Sequence, residues 1–381
     1  MKLPLCFILG LSVLISCGGE QPKVEKIIED GVEVVLNHFE PFQLKGQPSR
    51  LRLQEETRID FGKAEYSGLG LKEPDLGGVD SKGNIFLIEY SPDSEYFIYK
   101  FNPDGRFSGK FGRKGQGPGE IQGIWSFLLE KNNNLSISDP SARKVVTLDS
   151  EGRLVKETKF ATGQLDVLPL PNGKFLARRY PKDDSEPRGI YLSLLGPDLK
   201  EVKLLDSYDL SEYAPGKKRF SFIVHFYWRI AGDKIYVGNG SRGYEIQVWD
   251  INGSLLRKIR KEYRQVPYFD EFRLQTERAI AAGDDSLVVA KEMLPVNSFF
   301  VDDAGRLFVM TYERGASPDE YIHDVFNSEG ILTSRVSLGK YGILGPELNP
   351  LRATAIYGRF YRLWYKESGF PELIVYRMMW E

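Results

Sequence analysis

The sequence predicts an all-β fold, a six-bladed β-propeller made of four-stranded antiparallel blades. Three observations lead to this prediction: a turn followed by an apolar strand recurs six times, a second hairpin follows it in five of the six repeats, and an unpaired strand precedes the first repeat. The recurring turns are 40 to 72 residues apart. Such unequal spacing suits a closed ring of blades with variable loops better than a regularly indexed solenoid.

The recurring turn is clearest in residues 79–90, VDSKGNIFLIEY, where Gly83 lies at the tip of a hairpin. In every repeat the side chain one position after the turn residue is polar, and the next one is apolar. Glycine, asparagine and aspartate tolerate the positive φ that such turns require. The predicted turn residues are Gly83, Asn133, Gly173, Asp233, Gly305 and Gly358.

A second hairpin completes four strands in each of the first five repeats. Its turns are predicted at residues 102–105, 149–152, 196–199, 250–253 and 327–330. The sixth repeat ends at Glu381 and lacks its outer strand. We predict that an N-terminal strand, residues 51–61, pairs with residues 373–378 of this C-terminal blade, because the pairing would close the ring and protect two sheet edges.

The first 50 residues precede the predicted propeller. Residues 1–16 start with a positive charge, continue as an apolar run too short for a comfortable membrane span, and are followed by Cys17. This stretch resembles a bacterial lipoprotein signal with its lipobox, which implies cleavage before Cys17 and a lipid on the Cys17 sulfur. Residues 17–50 are then a lipidated N-terminus and tether, and residues 51–381 form the propeller. Several acyl chains would hold such a protein on a membrane.

Composition argues against several classes of function. The 51 basic and 53 acidic side chains leave no strong overall field, so the chain lacks the basic excess typical of nucleic-acid binding. Cys6 lies in the signal segment and Cys17 would be acylated, which leaves no thiol for a disulfide, a thiolate metal site or cysteine catalysis. We predict no cofactor and leave calcium open as the one alternative.

A glycine-rich stretch, FGRKGQGPGE at residues 111–120, could suggest a phosphate-binding loop. The P-loop signature, however, needs Gly-Lys-Ser/Thr at the start of a helix, and here a strand follows. A degraded copy occurs at residues 339–347, after the fifth repeat. We interpret both stretches as crossovers between blades.

Three motifs carry a resemblance to a known family: DSKGNI at residues 80–85, YKFNPDG at residues 99–105 and the glycine-rich stretch. Together they resemble the six-bladed β-propeller lipoproteins common in Bacteroides-type bacteria, which are similar to NHL-repeat propellers. The resemblance covers residues 50–381. It implies the propeller fold and a lipid-anchored location in the cell envelope, at the outer membrane and facing the periplasm or the cell surface. It implies no catalytic residues.

The long loops all belong to one face of the predicted disc. In an up-and-down blade, the loops between the second and third strands and the blade-to-blade crossovers share a face. The polar excursion at residues 180–188 and the insertion at residues 262–294 both lie there, and long loops tend to carry binding sites. We therefore predict a ligand-binding rim on this face, formed by Glu89, Tyr90, Asp139, Arg179, Tyr312, Arg314 and Trp364.

A rim of mixed charge with aromatic side chains suits a polar ligand, a glycan or a peptide, or a protein partner. The favoured function is therefore a binding or scaffold module. The alternative is a hydrolase or lyase assisted by a metal such as calcium, bound in the central channel by carboxylates such as Glu89 and Asp139. No catalytic residues are assigned, because the three histidines, His38, His225 and His323, are not at metal-ligand spacings and no nucleophile elbow occurs.

Overall fold

The computed structural model describes residues 24–381 except 73, 91–93, 162, 184, 215, 221–225, 318–319, 340–351 and 367–368. The N-terminal part of the described chain forms β1 (Val24–Glu29), β2 (Val32–Asn37), β3 (Leu51–Asp60) and a short helix, α1 (Ala64–Ser67). Three successive blades follow: blade 1 with β4 (Pro74–Val79), β5 (Ile85–Glu89), β6 (Tyr96–Phe101) and β7 (Phe107–Arg113); blade 2 with β8 (Ser126–Leu129), β9 (Leu135–Asp139), β10 (Lys144–Leu148) and β11 (Leu154–Lys159); blade 3 with β12 (Gln164–Pro169), β13 (Phe175–Arg179), β14 (Gly189–Leu195) and β15 (Glu201–Asp209).

The second half of the chain repeats this plan with two additions. A 3₁₀ turn (Ser211–Tyr213) and β16 (Arg219–Phe220) precede blade 4, and a second 3₁₀ turn (Gly240–Arg242) lies inside it. The elements are, in order, β17 (Phe226–Ala231), β18 (Lys234–Asn239), β19 (Glu245–Asp250) and β20 (Leu255–Lys261) in blade 4; α2 (Asp270–Ala281) and β21 (Leu287–Val288); β22 (Ser298–Val301), β23 (Leu307–Arg314), β24 (Glu320–Phe326) and β25 (Leu332–Gly339) in blade 5; and β26 (Ala353–Ile356), β27 (Arg359–Tyr365) and β28 (Pro371–Trp380) in blade 6.

The structure confirms the six-bladed, all-β architecture and nearly all of the predicted turns. Five of the six predicted turn residues of the first hairpins have positive φ, as does one residue in each of the five second hairpins. The exception is in blade 4, where Gly232 (φ 65°) and not Asp233 has the left-handed conformation. The reason is that a two-residue turn, Gly232 and Asp233, joins Ala231 to Lys234. Glycine adopts a positive φ without steric strain, so Gly232 takes the left-handed position.

One apolar cluster fills each contact between neighbouring blades in the described structure. In β5, Ile85 and Leu87 pack towards blade 6 while Phe86 and Ile88 pack towards blade 2. Successive strand residues point to opposite faces of a sheet, and both faces of each blade are covered. A central strand such as β5 is therefore a continuous apolar run, unlike the alternating pattern of a half-exposed sheet.

The predicted ring closure is confirmed. β3 pairs antiparallel with β28 from Asp60 opposite Glu372 to Leu51 opposite Trp380, and completes a four-stranded blade 6. Ile59 of β3 is buried in the cluster between blades 6 and 1. The two ends of the propeller sequence thus share one sheet, which leaves no open gap in the ring.

Two segments add to the plain propeller. β1 and β2 form a hairpin, and β2 pairs in parallel with β20, so the sheet of blade 4 has six strands. The segment that the sequence assigned to a tether therefore contains sheet structure from Val24 onward. The second addition is a cap, defined here as residues 211–220 and 262–297, in which β16 pairs with β21 and α2 packs on the end of blade 5.

Candidate ligand site in the central channel

The predicted rim does not form an exposed surface at Glu89 and Asp139, which are both fully buried. The Glu89 carboxylate accepts a hydrogen bond from Lys72 N (2.8 Å). Asp139 accepts from Gln122 N (2.7 Å) and Ala142 N (3.0 Å). Each carboxylate thus accepts hydrogen bonds from backbone that enters its own blade. A buried N–H group needs such an acceptor, because leaving it without one is unfavourable.

Arg179 and Trp364 of the predicted rim are also engaged by the protein. Arg179 is 4% exposed, forms ion pairs with Glu186 (2.6 Å) and Glu201 (3.0 Å), and lies over the ring of Tyr191. Burial acts to lower the pKa of Arg179, and the bonds to the two glutamates outweigh it and raise the pKa. Trp364 is half-buried and donates from Nε1 to Glu372 (2.8 Å).

The cap packs against the two predicted rim residues of blade 5 and leaves Arg314 exposed while Tyr312 is buried. Tyr312 is 4% exposed and meets the ring of Phe269 edge-on, with centroids 6.1 Å apart, and its burial raises its pKa. Arg314 lies over the rings of Phe269 and Tyr321 and donates to the Tyr321 hydroxyl (2.7 Å). The insertion therefore serves to close the end of blade 5.

Tyr90 is the one predicted rim residue that lines the central channel in the described structure. The channel encloses a cavity of about 1200 Å³, large enough for an oligomeric ligand. All six blades contribute to its wall, and no described residue of the 262–294 insertion does. The candidate site is therefore inside the ring, below the surface where the sequence placed it.

A level of polar side chains runs around the inner strands. In each blade we count five positions from the turn residue along the second strand and take the residue of the first strand that lies opposite. The strand register gives this residue in blades 1 to 5, and in blade 6 the hydrogen bond from Leu363 N to Arg352 O gives it. Four of the six residues line the cavity. The level consists of Asp75, Ser126, Asp166, Tyr227, Ser298 and Arg352.

Sequence reasoning missed this level because its spacing from the turn is irregular. The six residues precede their turn residues by six to eight positions, since the strands contain bulges and the first hairpins differ in length. When the repeats are aligned on their turn residues, these six polar residues therefore do not fall in the same column. The signal that could have found them is a polar side chain within each inner strand, where burial on both sides favours apolar residues.

Blades 1 and 6 meet at one charged pair on the channel wall. Arg352 Nε lies 3.1 Å from Asp75 Oδ1, and the guanidinium stacks over the ring of Tyr365. The Tyr365 hydroxyl donates to Pro74 O (3.0 Å). The pair joins residues 277 positions apart across the ring closure, with its charges balanced.

A second charged pair lies in blade 3. Arg178 Nη2 is 2.7 Å from Asp166 Oδ2, and both side chains are at most 2% exposed. The guanidinium lies over the indole of Trp228 from blade 4, 4.9 Å from the ring centroid. Burial raises the pKa of Asp166, and the charge of Arg178 opposes this shift. Of these three residues, Asp166 and Trp228 line the cavity.

Metal-binding groups do not converge in the described residues, where no three or more His, Cys, Asp or Glu side chains lie close enough to hold an ion. His323 is fully buried, its burial lowers its pKa to about 3, and its Nδ1 contacts Tyr321 O (2.9 Å). His225 and Cys17 lie outside the described residues.

The glycine-rich stretch forms a crossover between blades 1 and 2. Gly117 N donates to Glu120 (2.7 Å), and Gly119 N donates to Glu157 (3.0 Å). Carboxylates thus occupy two of the backbone N–H groups that a phosphate would need. In the part of the chain that the structure describes, no helix is long and apolar enough to cross a membrane.

Comparison with known proteins supports the fold. A family model described as a 6-bladed beta-propeller matches residues 79–203. Two solved Bacteroides structures superpose with a TM-score of 0.51: a duf4221 family member from Bacteroides vulgatus (10% identity, 88% of this chain and 100% of that one) and a candidate exported protein from Bacteroides fragilis (11% identity, 91% and 99%).

A gluconolactonase from Xanthomonas campestris is more distant, with a TM-score of 0.43 at 12% identity over 94% of this chain and 99% of that one. No curated protein matches the sequence. The inner-strand level, the six apolar clusters and these similarities agree: the chain is a six-bladed β-propeller that resembles the propeller proteins of Bacteroides.

Proposed function

We propose that the protein is a cell-envelope binding module that holds a polar ligand, a glycan or a peptide, in the central channel of its propeller. The observation that carries this proposal is the cavity of about 1200 Å³ with its level of polar side chains. Inner strands of a propeller need only pack, and apolar side chains do so at lower cost than buried polar ones. Polar groups from four blades on one cavity wall therefore support a binding role.

The envelope location rests on the signal-like residues 1–16 and on a lipid at Cys17. Val24, the first described residue of blade 4's added hairpin, lies seven positions after Cys17. A chain of that length spans at most about 25 Å. The lipid would therefore hold the perimeter of blade 4 near the membrane surface, with the channel still open to solvent.

The two other readings of the sequence have less support. No observation in the described residues favours the metal-assisted hydrolase or lyase. The hypothesis of a protein scaffold rests on scattered exposed apolar side chains, such as Val202 and Leu204 on the outer strand of blade 3. Single exposed apolar residues are ordinary on soluble proteins.

Thermal unfolding of the mature chain in detergent, measured with oligosaccharides, peptides and calcium, tests the proposal. A ligand at about 100 times its dissociation constant should add roughly 2.7 kcal/mol to the free energy of unfolding. Thr354→Trp, which places an indole on the cavity wall, should abolish the ligand-induced shift, and Arg314→Ala on the predicted rim should leave it unchanged.

If Arg314→Ala abolished the ligand-induced shift and Thr354→Trp left it unchanged, the ligand would bind at the predicted rim and not in the channel. A calcium shift that a chelator reverses would favour the hydrolase alternative. Stabilisation by none of the ligands would overturn the binding proposal.

A further inference from the structure

The wall of the channel between blades 2 and 4 presents a set of groups that differs from the rest of the cavity. Ser138 of β9 joins two inner strands there: its carbonyl accepts from Trp125 N (3.1 Å) and its hydroxyl accepts from Val167 N (2.8 Å). The strand that contains Ser126 is thereby brought against the strand that contains Asp166. On the other side Trp228 completes the wall.

Three features of this wall act together. Trp125 is 45% exposed and lines the cavity, so a flat apolar ring faces the ligand space. The Ser126 hydroxyl is buried, with no hydrogen-bond partner among the described residues. Asp166 lines the cavity as a carboxylate that accepts hydrogen bonds, and Arg178 behind it compensates its charge.

The charge balance around Asp166 indicates which ligand groups can bind at this carboxylate. An anionic group placed there would meet the charge of Asp166, because Arg178 is 1% exposed and does not line the cavity. A cationic ligand would compete with Arg178 for a carboxylate whose charge is already compensated. A neutral hydroxyl group can donate to Asp166 and accept from Ser126 without bringing a net charge into the wall.

We propose that the ligand of the channel is an uncharged, hydroxyl-rich molecule, a mono- or oligosaccharide, whose apolar ring face packs on Trp125 and whose hydroxyl groups bind Asp166 and Ser126. This inference rests on the proposed function, because it names the ligand class for the same cavity. Arg178 is a positioning residue: it pairs with the Asp166 carboxylate, lies over the indole of Trp228, and does not itself line the cavity.

The test is calorimetric titration of the mature chain in detergent with three sets of probes. The first set is uncharged trisaccharides: maltotriose, cellotriose, mannotriose and xylotriose. The second is trigalacturonate, and the third is a pair of tripeptides, trilysine and triglutamate. We expect at least one uncharged trisaccharide to bind and the charged probes to bind at least roughly tenfold more weakly, a difference of about 1.4 kcal/mol.

Variants locate the site. Trp125→Ala, at an exposed position where folding is not at risk, should weaken trisaccharide binding roughly tenfold or more, and Asp166→Asn should do the same by removing a charged acceptor. The matched control is Asp324→Asn, which also removes a fully buried carboxylate, paired with Lys261 and Arg335, but lies outside the cavity wall. It should lower stability without changing the dissociation constant.

The outcomes separate the two proposals. Trisaccharide binding that both Trp125→Ala and Asp166→Asn leave intact would overturn the site and keep the binding function. Tighter binding of trigalacturonate or of a tripeptide would overturn the ligand class alone. Binding of no probe would count against this inference and, with an absence of thermal stabilisation, against the binding function as well.

Discussion

At the scale of single residues, the outer hairpin turns show how one blade locks onto its neighbour. Gly152 in blade 2 has φ +81°, and a Cβ built there would lie 2.5 Å from Phe111 Cβ on the outer strand of blade 1. Glycine at this turn therefore meets two demands, a left-handed backbone and close contact with the next sheet. Blade 3 departs from the pattern, since Leu199 takes φ 60° and packs its side chain into the interface with blade 2.

Gly152→Ala should therefore lower the free energy of unfolding more than an alanine at an equivalent but uncrowded turn. Left-handed backbone costs a non-glycine residue about 1–2 kcal/mol, and overpacking adds about 1–3 kcal/mol. The control is Gly173→Ala, which has φ +79° but nothing within 4 Å of the new Cβ, and should show only the backbone cost. Urea denaturation measures both, and equal losses in the two variants would contradict the locking role.

The predicted rim is also explained at this scale. Glu89 and Asp139, at the ends of the second strands of blades 1 and 2, accept hydrogen bonds from backbone that enters their blades. In these two blades the polar strand end is thus a structural requirement. Arg179 and Trp364, at the ends of the second strands of blades 3 and 6, donate to glutamates instead.

At the scale of elements, the N-terminal segment binds three blades together. Its hairpin is joined to blade 4 by β-pairing and by ion pairs of Arg260 with Glu29 (2.7 Å) and of Arg257 with Glu33. Asn37, 2% exposed, donates to Arg260 O (3.1 Å) and Gly330 O (2.9 Å) and accepts from Leu332 N (2.7 Å). The chain then passes blade 5 and enters blade 6 as β3.

Asn37→Ala should reduce the free energy of unfolding by about 1–3 kcal/mol, because it leaves buried backbone groups of blades 4 and 5 without a partner. Asn172→Ala serves as the control, since Asn172 also links two blades, through Ile251 O (2.9 Å), but at an exposed position. Its loss should stay within about 0.5 kcal/mol. If thermal denaturation gives the two variants the same midpoint, Asn37 does not hold the segment in place.

The cap illustrates how an inserted element can change the use of a face. α2 places Phe269 between Tyr312 and Arg314, so the end of blade 5 becomes part of a small aromatic core. The composition of residues 268–280 predicts this helix, because Phe269, Phe272, Thr276 and Ala279 fall roughly on one helical face. What the helix covers depends on which blade it folds back on, which follows from tertiary packing.

At the scale of the whole molecule, lipidation at Cys17 would decide where the channel operates. In a bacterial host, the wild-type chain should remain with the membrane fraction through salt and carbonate washes, and Cys17→Ser should appear in the soluble fraction, because several acyl chains bind a bilayer nearly permanently. Cys6→Ser, within the same signal-like segment, is the matched control and should behave as wild type. Membrane retention of Cys17→Ser, or loss of the wild type during washing, would refute the lipid anchor.

Closure of the ring lets all six blades bury their apolar faces against one another. Each blade has two apolar faces that only its neighbours can cover, and the described clusters lie at all six contacts. Closure through β3 and β28 supplies the sixth contact from the two ends of the propeller sequence. The same closure brings Asp75 against Arg352 and completes the channel wall.

Local sequence signals are enough to predict the fold class, nearly all positions of the hairpin turns and the strand that closes the ring. These depend on local chemistry: positive φ at turn residues, apolar strand faces, and a repeat count that leaves one strand unpaired. The turn residue of blade 4 was predicted at Asp233, one position too late, because the neighbouring Gly232 takes the positive φ. The predicted rim residues were placed on the long-loop face, but Glu89, Asp139, Arg179 and Tyr312 are buried.

The position of a ligand site depends on tertiary packing that local sequence does not reveal. Asp166, Arg178 and Trp228 occupy inner or second strands of two blades, and although the two charged residues stand out within apolar strands, nothing in the local sequence shows that the three meet. Asp75 and Arg352 are 277 residues apart and meet because the ring closes. A channel wall is built from one short stretch per blade, so its chemistry exists only when six distant stretches are brought to the same axis.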